Sequence, residues 1–61
     1  MNGKELLEIL TKNGWKLDRI KGSHHILVKT GQRSIPIPVH GAKDLHPHLV
    51  STILKQAGLK Q

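Results

Sequence analysis

The chain has no cysteine, no phenylalanine and no tyrosine, and only four acidic residues. Without cysteine there is no disulfide, no thiolate metal site and no cysteine nucleophile. Trp15 is the single aromatic residue, so the base-stacking platforms of many single-strand binders are missing. No stretch reads as a secretory leader or as a run of about 20 apolar residues, and the expectation is a soluble, cytoplasmic protein that does not enter a membrane. The shortage of acid leaves ten Lys and Arg against four Asp and Glu, a formal charge of +6 in 61 residues. Such a field favours polyanions: an acidic protein, or a nucleic acid held mainly through its phosphates.

A chain of this length makes one domain, 1–61, and buries only about 60% of the surface its unfolded form exposes. Met1 to Asn13 is expected to be a helix. Asn2 caps it, Glu5 completes a capping-box pair, Met1 staples onto Leu6, and Leu6, Leu7, Ile9 and Leu10 make the apolar stripe. Asn13-Gly14 ends it. Trp15 to Lys21 alternates as a half-buried strand, Trp15 and Leu17 on one face, Lys16 and Asp18 on the other, with Arg19 following the apolar face towards its rim. Gly22-Ser23 turns the chain into a second strand from His24 to Lys29, and Thr30-Gly31-Gln32 turns it again.

Arg33 to Val39 is the third strand, and its prolines locate it. Pro36 and Pro38 are two apart, so their missing N–H groups lie along one lateral edge while Ile35, Ile37 and Val39 share the buried face. The strand is therefore an edge, blocked against pairing with another chain. After the loop 40–43, Pro47 suits the first turn of a second helix, in which Val50, Ile53, Leu54 and Ala57 share a face that Leu49 extends and Gly58 terminates. The expected fold is α+β and two-layered: a three-stranded antiparallel meander with two helices on one face, in the order α-β-β-β-α.

Lys21-Gly22-Ser23-His24-His25 concentrates chemistry at the turn between the first two strands. Glycine lets backbone approach a ligand closely, and histidine both takes and gives a proton near neutral pH. Strand alternation sends His24 and His25 to opposite faces. His24 is expected to share the core face with Ile26 and Val28, near the rim where that face runs out into solvent, and His25 the outer face with Leu27 and Lys29. Because the pair diverges, and because His46 and His48 flank a proline in a solvated turn, the five histidines do not imply a built-in metal. No cofactor is expected.

Gly22-Ser23-His24-His25, the Ile35-Pro36-Ile37-Pro38-Val39-His40 strand end, Lys43-Asp44-Leu45 and Ile53-Leu54-Lys55-Gln56-Ala57-Gly58-Leu59 together resemble the HicA toxin family of HicAB toxin-antitoxin systems. The resemblance spans essentially the whole chain. It implies a double-stranded-RNA-binding-domain-like fold, messenger-RNA interferase activity with the histidine after Gly-Ser, here His24, as the catalytic residue, and a cognate HicB-type antitoxin through which the complex also bears on operator DNA. Around His24, the expected support for RNA binding or the transition state is Lys21, Gly22, Ser23, His25, Lys29 and Arg33, with His40 a further candidate. The alternative from another class is a non-catalytic RNA-binding module of the same fold.

Overall fold

In the computed structural model, which describes residues 1–59, helix α1 (Gly3–Lys12) begins on the capping box that its sequence encodes. The Asn2 Oδ1 accepts the Glu5 N–H at 2.9 Å, and the Glu5 Oε1 accepts the Asn2 N–H at 2.9 Å, which satisfies two amides that a bare helix start would leave open. Leu6 and Leu10, one turn apart, are fully buried. The helix ends in a Schellman motif: the Gly14 N–H bonds the Thr11 carbonyl and the Trp15 N–H bonds the Leu10 carbonyl, with Gly14 at φ +94°. Trp15 then drops into the core, 2% exposed. Met1 is half exposed and lines a shallow groove with Leu45, Val50 and Leu54.

Three antiparallel strands follow, β1 (Lys16–Lys21), β2 (His24–Val28) and β3 (Ile35–Pro38), with β2 in the centre. The expected meander is what forms. Pro36 and Pro38 sit on the free edge, and the Val39 N–H still reaches inward to the Ser23 carbonyl at 2.8 Å, which ties the end of β3 to the β1–β2 turn.

Two face assignments differ from expectation. On β2 the core face carries Leu27 and His25, not His24, Ile26 and Val28. Leu27 pairs with Ile35 and His25 with Ile37, and cross-strand partners share a face, so the buried isoleucines of β3 carry Leu27 inward and leave His24 and Ile26 on the open side. On β1 the alternation breaks at Asp18, where a bulge lets Leu17 pair with Leu27 but Arg19 with Ile26. Arg19 therefore lies on the open face. Leu17 is exposed as well, because every residue of this edge strand is left largely uncovered.

Helix α2 (Pro47–Gln56) starts on His46, whose Nδ1 accepts the His48 N–H at 3.0 Å, with Pro47 in the first turn. Ile53 and Ala57 enter the core with Val50 and Leu54 beside them, whereas Leu49 turns outward. Its end repeats the device that closes α1: the Gly58 N–H bonds the Lys55 carbonyl and the Leu59 N–H the Leu54 carbonyl. Both helices cover the Leu27 face of the sheet, and the core of Leu6, Leu10, Trp15, Leu27, Ile35, Ile37, Ile53 and Ala57 lies between the layers. Neither helix covers the opposite sheet face, where neighbouring strand residues leave Ile26 only 8% exposed.

Candidate active site

The β1–β2 connection is a two-residue hairpin in which Gly22 takes φ +60° and Ser23 keeps a negative φ, the pattern of a type II′ turn. An L-residue is strained at the Gly22 backbone angle. Nothing lies within 4 Å of where a Cβ on Gly22 would point, so the turn is open on that side.

This tight turn makes Lys21 and His24 the last register pair of β1 and β2. Both side chains lie on the open face, and with Gly22, Ile26 and Pro36 they line a depression of about 530 Å³. Ile26 forms an apolar floor between its cross-strand neighbours Arg19 and Pro36. The His24 ring is exposed and approachable from solvent rather than partly buried at a core rim. A cation beside an accessible imidazole over an apolar floor can hold an anionic group and exchange a proton with what that group carries.

The other expected site residues divide. Gly22 and Ser23 form the turn itself. His25 points to the helix side, opposite Ile20 and Ile37, and its Nδ1 is buried without a hydrogen-bond partner. Lys29 follows the last residue of β2, about 17 Å from His24 along the strand direction. Its Nζ donates to the Asn13 carbonyl at 3.1 Å and sits 6.0 Å from the centre of the Trp15 ring. Arg33 precedes the far end of β3 and lines a separate depression with Gln32, Ser34 and Gln56. His40 follows the Val39 amide that bonds Ser23, so its backbone leaves the sheet near the turn. Among the described residues, no three His, Asp or Glu side chains converge to hold a metal ion.

Two cations were not singled out by sequence reasoning. Lys16 pairs with Val28 and Arg19 with Ile26, so both share the open face with His24 and Lys21. The register shift at Asp18 that brings them there appears only in the pairing of β1 with β2. Gly3 was also missed: a Cβ there would lie 2.2 Å from the Pro38 carbonyl oxygen, so the start of α1 is pressed against the end of β3 that pairs with His24.

Residues 3–59 match the family model described as HicA toxin of bacterial toxin-antitoxin. The chain belongs to the HicA toxin family. One solved chain, from a toxin-antitoxin complex of Streptococcus pneumoniae, is 43% identical, superposes with a TM-score of 0.84, and is matched over 97% of this chain and 98% of its own. No protein of curated function matches. Membership supports a toxin role for this HicA chain, and its α-β-β-β-α order is that of its structural relative. Among the described residues, no helix is long and apolar enough to cross a membrane.

Proposed function

We propose that this HicA chain is a ribonuclease that cuts messenger RNA, with His24 as the catalytic base. The observation that carries the reading is the placement of His24: an accessible imidazole on the sheet face that neither helix covers, beside Lys21 and at the end of the central strand. His24 takes the proton of a ribose 2′-hydroxyl, and the resulting alkoxide attacks the adjacent phosphorus. The bond from phosphorus to the 5′-oxygen breaks, that oxygen takes up a proton from solvent water, and the products are a cyclic 2′,3′-phosphate and a 5′-hydroxyl, while His24 later returns its proton to solvent. RNA supplies its own nucleophile, so the protein has only to move a proton and steady charge. In this reading Lys21 and the Gly22-Ser23 amides take the second task. Lys29, Arg33 and His25 lie away from the reacting phosphate, and any contribution of theirs is to RNA held farther along the surface or to the fold.

The reading requires no metal ion. It extends to a HicB-type antitoxin as partner, supported by the toxin-antitoxin complex in which the structural relative was solved, to operator DNA through that partner, and to action in the cytoplasm. The test is to incubate the purified protein with single-stranded RNA in the presence of a chelator and to identify the ends formed. Cyclic phosphate and 5′-hydroxyl ends support the mechanism; intact RNA, or ends of the opposite polarity, refutes it.

A further inference from the structure

Strict alternation along β1 would set Lys16, Asp18 and Ile20 on one face and Leu17, Arg19 and Lys21 on the other. The bulge at Asp18 prevents this. With Lys16 opposite Val28, Arg19 opposite Ile26 and Lys21 opposite His24, all three cations of β1 stand on the open face, in a row beside β2. Bulges beside active sites commonly re-aim side chains in this way. Leu17 and Ile20 take the opposite side.

We propose that Lys16, Arg19 and Lys21 form a track for successive phosphates of a single-stranded RNA, which leads the strand to His24 at the turn. The proposal rests on the ribonuclease reading above for what happens at the end of the track. The three cations advance with the alternate β2 residues Val28, Ile26 and His24, hence at intervals of about 7 Å, of the order of one nucleotide in an extended strand. Trp15 is buried in the core, so no indole or phenyl ring stands along the row and the strand is held there mainly by charge. Asp18 is the acidic group beside the row, and its carboxylate is ion-paired with the Arg19 guanidinium, which it orients and partly neutralises. A row of evenly spaced cations on a face that no helix covers fits a flexible polyanion better than an acidic protein, whose carboxylates keep no such interval.

The test uses a single-stranded RNA oligonucleotide methylated at every 2′-oxygen, which binds without offering the nucleophile for cleavage. Its affinity is measured across a salt series for the parent, for Lys16→Gln with Arg19→Gln, and for a charge-matched control, Lys4→Gln with Lys12→Gln on α1. The track variant is expected to flatten the dependence of log affinity on log salt by about 1.4, or roughly 0.7 for each lost phosphate contact, while the control stays close to the parent. Asp18→Asn, which frees Arg19, is expected to bind severalfold more tightly. Equal slopes in the two double variants, no binding by the parent, unchanged or weaker binding by Asp18→Asn, or a defect of the track variant confined to an acidic protein partner would overturn the proposal. Failure of the ribonuclease reading appears separately, as unmodified RNA left uncut by a parent that still binds the methylated strand.

Discussion

Lys21 and His24 face each other across the Gly22-Ser23 turn as the final register pair of β1 and β2, on the face that neither helix covers. The pairing sets an ammonium beside an imidazole without burying either. Lys21→Gln is expected to lower RNA cleavage roughly tenfold, less than the loss of an enclosed oxyanion donor because an exposed charge is screened. Lys21→Arg should restore most of the rate. Single-turnover cleavage assays on the two variants check this, and equal rates in Lys21→Gln and the parent would remove Lys21 from the site.

The contact of Gly3 with the Pro38 carbonyl leaves no room for a methyl group. Gly3→Ala is expected to destabilise the fold by about 1–3 kcal/mol through overpacking. Gly22→Ala meets open space, so its cost comes from backbone angle alone, about 1–2 kcal/mol. Urea unfolding of both variants measures the two costs. The distinguishing result is structural: Gly3→Ala should also shift the backbone amide resonances of Pro38's neighbours Ile37 and Val39, while Gly22→Ala shifts only the turn.

Each face of β2 buries one apolar side chain, Leu27 at 0% and Ile26 at 8% exposure, but only Leu27 belongs to the cluster that the helices close. Leu27 is fully buried in the core, and Leu27→Ala is expected to cost about 2–5 kcal/mol. Ile26 is packed among its cross-strand neighbours on the other face, outside that cluster, and Ile26→Ala should cost less than Leu27→Ala. Denaturant titration of the pair decides which face is inside; a larger loss for Ile26→Ala would reverse the assignment.

These residues also show where sequence reasoning reached and where it stopped. The capping box at Asn2 and Glu5, the glycines that end both helices and the edge prolines of β3 each depend on neighbours close in the chain, so each was legible. The face of β2 was not. Alternation has a period but no fixed phase, and both sets of alternate residues in His24-His25-Ile26-Leu27-Val28 contain apolar side chains. The phase came from pairing with Ile35 and Ile37, eight to twelve residues further on. The bulge at Asp18 hid for a related reason: one extra residue inverts the faces after it without changing composition. Lys16 and Arg19 were therefore not connected with His24, although Lys21 was.

The central claim is that the His24 imidazole takes the proton that starts RNA cleavage. The most direct measurement is the cleavage rate of His24→Ala on the same RNA and at the same protein concentration as the parent, with thermal unfolding followed in parallel. The account predicts a rate lower by about 10² to 10⁴ and an unchanged unfolding transition, since the ring is exposed and outside the core. A folded His24→Ala protein that cuts RNA at the parental rate would contradict it.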